Sequence, residues 1–238
     1  MKYILIKALL LFCFTGAAQE LTGQQLLDKA IQHHDPNGKW EKFHAVFEVT
    51  MTTPNKPKRV SDIKIDLPKE YFSVSATRDS INTSYFVIKD KGSATKSDLR
   101  KPSEVIVTTE KDAERAIFMK NYYTYLYGLP MKLKDEGTII SNTVERKVFK
   151  GKEYLVLQVA YDEAVGSDVW FFYFDPISYR MEVYQFYRTD TAGKIKMDTG
   201  EYILLSESKK INHINMPKTR KWYYNKNDQF LGADVITD

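Results

Sequence analysis

From residue 43 onward most of the chain is written in short segments whose apolar residues recur at every second position, and this period limits its fold more than any other feature. Phe43, Ala45, Phe47, Val49 and Met51 alternate with His44, Glu48, Thr50 and Thr52. Ile63, Ile65 and Leu67 alternate with Asp62, Lys64 and Asp66, and Phe72, Val74 and Ala76 with Ser73, Ser75 and Thr77. A strand presents successive side chains to opposite faces, so each segment reads as a half-buried β-strand. Weaker candidates are Tyr85 to Lys89 and Glu104 to Thr108. The polar stretch between them, Asp90 to Pro102, reads as a mobile loop. Seven further strands are expected at Thr143 to Lys150, Tyr154 to Tyr161, Val169 to Phe174, Arg180 to Tyr187, Gly200 to Glu207, Lys218 to Tyr224 and Phe230 to Ile236. Short turns such as Lys150-Gly151-Lys152 and Asp175-Pro176 join several of them. Parallel neighbours need a crossover of roughly a dozen residues, so these strands form an antiparallel meander.

Two segments break the period. Between Leu21 and His34, Leu26, Leu27, Ala30 and Ile31 share one helical face, with Thr22 as N-cap and Asp35-Pro36-Asn37-Gly38 as the stop. Between Lys111 and Tyr127, Ala113, Ile117, Phe118, Tyr122, Tyr125 and Leu126 lie three or four apart, ahead of Gly128 and Pro130. The second helix carries four tyrosines, whose rings need an apolar surface beneath them.

The first residues are a targeting signal by composition: Lys2, an apolar run from Ile4 to Phe14 broken by Lys7, then Gly16-Ala17-Ala18. The run falls short of the roughly 20 apolar residues a membrane-spanning helix needs. Cleavage is expected after Ala18, leaving residues 19–238 as one domain without a transmembrane anchor, periplasmic or secreted. Cys13, the single cysteine, leaves with the signal. Phe12 before it is too bulky for a lipid-attachment box. Thiol catalysis and disulfides are then excluded from the mature chain. Lys2 and Lys7 also account for two of the four formal positive charges, so the mature chain lacks the concentrated basic face that nucleic acid demands.

No catalytic motif stands out. The histidines are His33, His34, His44 and His213, and neighbours such as His33 and His34 diverge by about 100° on a helix, which suits surface positions better than one metal. Gly166-Ser167-Asp168 is not a nucleophile elbow, since no helix follows it. Asp162, Glu163 and Asp168 form a small acidic cluster that reads as solvated turn residues, with acid/base work as the alternative. No metal or other cofactor is expected.

The aromatic content is more telling. Trp170-Phe171-Phe172-Tyr173-Phe174 puts large rings on both faces of one strand, where a strand wetted on one side would alternate. Either a helix covers the second face, a cavity opens there, or the rings fill a large core.

These features resemble the periplasmic lipoprotein carriers of the Lol pathway and the superfamily that shares their fold. The likeness rests on the early helix Gln24 to His34, the opening Phe43-His44-Ala45-Val46-Phe47, and the hairpin Val169 to Tyr187 around Asp175-Pro176. Asn121 to Pro130, Val165 to Trp170 and Trp222 to Lys226 look most like an uncharacterised exported group within it. The resemblance implies an incompletely closed antiparallel β-barrel, mainly β, with one N-terminal and one central helix packed in its mouth. It also implies a lumen for acyl chains and an interior arginine that latches the lid helices. On this reading the chain is a monomeric, non-enzymatic binding protein for a hydrophobic or lipid-like molecule, or for lipoprotein acyl chains. Its expected lining is Phe47, Phe72, Phe118, Tyr122, Trp170, Phe172 and Trp222, with the second helix as lid. The alternatives are a cell-envelope interaction protein with a filled core, and a hydrolase built on Asp162, Glu163 and Asp168 with His44 or His213.

Overall fold

The computed structural model of the chain describes residues 21–101, 105–107 and 110–238. The expected signal peptide, with Cys13, lies outside the described residues.

Helix α1, Gly23–His34, begins as its sequence dictates. The Thr22 hydroxyl accepts from the Gln25 amide, and the Gln25 side chain accepts from the Thr22 amide, a reciprocal cap. Leu26, Leu27 and Ala30 fall on its buried side. The chain then turns on Asp35, whose carboxylate accepts from the amides of Lys39 and Trp40 at 2.7 and 2.8 Å.

Six strands follow: β1 His44–Thr53, β2 Lys56–Asp66, β3 Tyr71–Arg78, β4 Ile81–Ile88, β5 Lys91–Asp98 and β6 Val105–Val107. Helix α2, Glu110–Gly128, separates them from β7 Thr138–Phe149, β8 Lys152–Tyr161, β9 Val169–Phe174, β10 Met181–Tyr187 and β11 Glu201–Ser206. A small hairpin, β12 Lys209–Ile211 with β13 Ile214–Met216, precedes β14 Thr219–Tyr224 and β15 Phe230–Ile236. Apart from that hairpin, all strands join one antiparallel sheet in the order β6-β5-β4-β3-β2-β1-β15-β14-β11-β10-β9-β8-β7. The sheet is therefore two meanders fused where β1 pairs with β15, Val49 opposite Ile236. The edge strands β6 and β7 do not pair with each other, so the barrel stays open.

Both helices lie on the concave face. Helix α2 packs across β4 and β5, and α1 against β7, β8 and β13. One core joins Leu26, Leu27, Phe47, Phe72, Tyr123, Tyr127, Leu157, Phe172 and Ile203, drawn from both meanders and both helices.

One expectation is overturned, one unanticipated element is added, and one open choice is decided. The stretch from Asp90 is not a loop up to Pro102, because residues 91–98 form β5, paired with β4 over its whole length. Its inward positions opposite Val87 and Tyr85 are Gly92 and Ala94, small because α2 lies against them; a Cβ on Gly92 would stand 2.3 Å from the Ala113 carbonyl oxygen. The hairpin β12–β13, too short for a periodic signal, docks buried Ile214 and Met216 near α1. The second face of β9 meets neither a helix nor a cavity. Tyr154, Val156, Tyr173 and Val183 form a separate cluster there, and Phe149 folds over it with its ring 5.1 Å from Tyr173 and 5.4 Å from Tyr202.

Candidate functional site

Where α2 runs toward its C-terminal end, it leaves a groove of about 760 Å³ between itself and the loop joining β8 to β9. Tyr125 from α2, Tyr161 at the end of β8 and Trp170 at the start of β9 make its aromatic wall. The Tyr125 ring meets Trp170 edge-on at 5.8 Å, and its hydroxyl bonds that of Tyr161. Burial pushes the Tyr161 phenol up to about 12 and raises that of Tyr125, so both remain neutral at physiological pH. The polar rim is Asn121, Thr124, the Lys132–Asp135 ion pair and Asp168. Burial raises the carboxyl of Asp168, opposed by the charge of Arg188. A second recess of about 300 Å³ shares Asn121, Thr124 and Lys132 with the groove and reaches Trp40, Leu67 and Phe72.

The expected lining residues divide into three groups. Trp170 and Phe72 line these recesses. Phe47, Phe172 and Trp222 lie inside the half-barrel: Phe47 packs on Tyr127 with ring centroids 4.9 Å apart, Phe172 stacks on Trp170, and the Trp222 indole donates to Asp234 at 3.2 Å. Phe118 and Tyr122 stack on each other on α2, 52% and 37% exposed, and burial raises the Tyr122 phenol, which lies within the field of Tyr184 and Asp234 inside the half-barrel. Sequence reasoning passed over Tyr125, Tyr161, Asn121, Thr124 and Lys132. Only the tyrosine run of α2 hinted at them, and which of its rings faces the groove depends on how the helix is rolled on the sheet.

Beneath the C-terminal half of α2 a few polar groups are buried within the apolar core. Arg220, 1% exposed, lays its guanidinium 4.3 Å from the centre of the Tyr127 ring and donates to the carbonyls of Pro217 and Leu126 at 3.0 and 3.4 Å. It thereby ties β14 to the last turn of α2. Asp234 lies on the neighbouring strand, directly opposite Arg220; its carboxyl is raised by burial against the pull of Arg220 and Arg59. The Nε of Arg220, the hydroxyl of Tyr184 and the Oδ1 of Asp234 are buried without a hydrogen-bond partner among the described residues.

The other candidates for chemistry do not converge. Asp162 and Glu163 are exposed turn residues, and of that trio only Asp168 reaches the groove. His44 and His213 are exposed. His34 is buried and structural: Nδ1 faces the Asn215 carbonyl at 2.6 Å and Nε2 accepts from the Met181 amide at 3.0 Å, which sets the tautomer. Among the described residues no three histidine, aspartate or glutamate side chains group as metal ligands.

The profile of a family described as of unknown function, DUF6503, matches residues 2–238. The chain belongs to the DUF6503 family. No functionally curated protein matches it. Among solved structures the DUF6503 chain is similar to a LolA superfamily protein from Nitrosomonas europaea, at 12% identity and a TM-score of 0.52 over 92% of each chain. It is also similar to a DUF1329 family protein from Desulfovibrio piger, at 7% identity and a TM-score of 0.48 over 91% of this chain and 94% of that one. The DUF6503 chain thus has the LolA-type fold that its sequence resembles. No helix among its described residues is long and apolar enough to cross a membrane.

Proposed function

We propose that this is an exported binding protein that carries a hydrophobic or lipid-like ligand in the groove beside α2. The observation that carries the reading is the groove itself: about 760 Å³, walled by Trp170, Tyr125 and Tyr161, at the mouth of a half-barrel that does not close. Small-molecule sites commonly fall in the range of roughly 300–1,000 Å³ and combine apolar walls with a few polar groups. Burying apolar ligand surface yields roughly 25 cal/mol per Å², enough to hold an acyl chain without hydrogen bonds. The LolA-type fold supports the reading. So does the composition of residues 1–18, which suits export.

Helix α2 is the lid. It closes on Phe47 and Phe72 through Tyr127 and Tyr123, with ring centroids 4.9 and 5.9 Å apart. Displacing it uncovers both phenylalanines and extends the groove into the half-barrel. Arg220 holds its C-terminal turn in the closed position.

The test is mass spectrometry of the exported, gently purified protein under native conditions and after solvent extraction, together with uptake of a fluorescent fatty-acid probe. A stoichiometric adduct is expected, and Trp170→Asp and Trp170→Ala should each lose it while far-UV circular dichroism stays unchanged. Retention by both variants removes Trp170 from the site. An empty protein that also refuses the probe favours an envelope interaction protein instead, for which the exposed pair Phe118 and Tyr122 on α2 is the supporting observation.

A further inference from the structure

On the concave face of β2 and β3 the inward residues change character along the strands. Ile65 opposite Phe72 and Ile63 opposite Val74 belong to the core; Ser61 opposite Ala76 follows, and then Arg59 opposite Arg78. Like charges directly opposed across an antiparallel pair are destabilising, so this pairing works against the sheet. A third cation faces them from α2, where Arg115 joins Met119 and Tyr123 along one side of the helix. The three arginines share a cleft of about 430 Å³, on a different side of α2 from the groove and nearer its N-terminal half.

Among the described residues none of the three forms an ion pair, and the nearest compensation for Arg59 is the field of buried Asp234. The arginine ion pairs among the described residues use Arg100, Arg146 and Arg180. One terminal nitrogen of Arg59 donates to the Tyr123 hydroxyl at 3.3 Å, and its Nε is buried without a partner. Among the described residues Arg78 approaches the Met51 sulfur, at 4.0 Å, and Arg115 lies over the Phe118 ring at 4.6 Å. Asp79, the one carboxylate in the cleft lining, also lends its field to Arg100 outside it. The remaining wall is largely apolar, with Val74, Ile81, Tyr85 and Met119. Low-dielectric walls around uncompensated positive charge focus the field on whatever enters. Guanidinium groups pair with phosphate and carboxylate through short, charge-assisted hydrogen bonds.

We infer that this cleft is a second binding site, one that takes an oxyanion, phosphate or carboxylate, carried on an apolar body. Arg59, Arg78 and Arg115 bind the oxyanion, and Val74, Tyr85 and Met119 receive the apolar part. The site does not depend on the groove beside Trp170.

Isothermal titration calorimetry at low ionic strength tests it with octyl phosphate, octanol and inorganic phosphate. Arg78 and Arg115 reach solvent, so the double variant Arg78→Gln/Arg115→Gln is compatible with folding, and circular dichroism verifies it. Octyl phosphate is expected to bind about tenfold or more tightly than octanol, to lose about tenfold in the double variant, and to weaken as salt rises. Trp170→Ala should leave this binding unchanged. Octanol binding as tightly as octyl phosphate, or equal octyl phosphate binding by wild type and double variant, overturns the oxyanion site. Inorganic phosphate binding as tightly as octyl phosphate overturns the apolar part of the claim. Loss of octyl phosphate binding in Trp170→Ala places the ligand in the groove and overturns the second site. Failure of the uncharged octanol to bind the wild type, with octyl phosphate binding lost only in the arginine variant, supports this cleft and counts against the proposed carrier function instead.

Discussion

The two meanders solve the burial problem in different ways. In the first, β1 to β5, one face carries the core and the other is polar: on the outer side of β3 and β4, Ser75 and Ser84 share a hydrogen bond at 3.1 Å, and Asn82 donates to Ser75 at 2.9 Å. Here a helix covers the concave face closely, with Gly92 against the Ala113 carbonyl. In the second, the stretch β8 to β10 is apolar on both faces, with Phe172 and Trp170 inward and Tyr173 and Phe171 outward. Its outer layer is covered by its own rings and by lysine stems, with Lys147 and Lys150 lying over Tyr173 and Tyr202. The lesson is that the second meander is stabilised by side chains on both of its faces, whereas the first depends on α2, the element that must move if the groove is to open wider.

That contrast can be broken from either side. The largest effect is expected from Phe172→Ala, which removes a fully buried ring at the centre of the second meander; about 3–5 kcal/mol should be lost, read as a fall in the urea midpoint. A loss under about 1 kcal/mol would mean that the inner layer is not the main support.

Next is the pH dependence of His34, which joins α1 to β10 and β13. Burial lowers its pKa from 6.5 to about 4. The unfolded state therefore binds more protons between these values, and stability rises with pH across that window. The contribution is full above about 6.5 and is lost as pH falls toward 4, roughly 3 kcal/mol in all. Chemical denaturation at several pH values should show this slope, and His34→Gln should flatten it. An unchanged slope in the variant would assign the pH dependence to other groups.

Gly92→Val is expected to act on α2 rather than on the sheet. Overpacking costs about 1–3 kcal/mol, and the damage should appear in hydrogen exchange as lost protection in residues 113–127, with β8 to β10 unchanged. Protection lost equally in both meanders would show that α2 is not a separable lid. The smallest effect is expected at Ser75→Ala, on the wetted outer face of β3, at about 1 kcal/mol or less. A much larger loss would put that polar face on a par with the aromatic layer of the second meander.

Much of the fold was legible because strand period, caps and turns are local. Thr22 and the spacing of Leu26, Leu27, Ala30 and Ile31 announce α1, and the alternation of Phe43 to Met51 announces β1 with its inward face correct. The strand β5 was not legible, since its inward residues are Gly92 and Ala94, chosen by the approach of α2 and carrying no apolar signal of their own. The site was less legible still. Trp170 and Phe72 were picked out by their rings, but whether a ring lines a groove or fills a core depends on which helix face lies above it.

What the sequence alone determined is the mainly β, antiparallel character of the chain and the placing of its two helices, because these follow from side-chain alternation and helix spacing within short segments. Only the tertiary structure decided that β1 pairs with β15, that Gly92 and Ala94 of β5 receive α2, and that Arg59, Arg78 and Arg115 face one cleft. Those outcomes come from contacts between residues far apart in the chain, selected by the shared free energy of burying one core, and no local pattern encodes them.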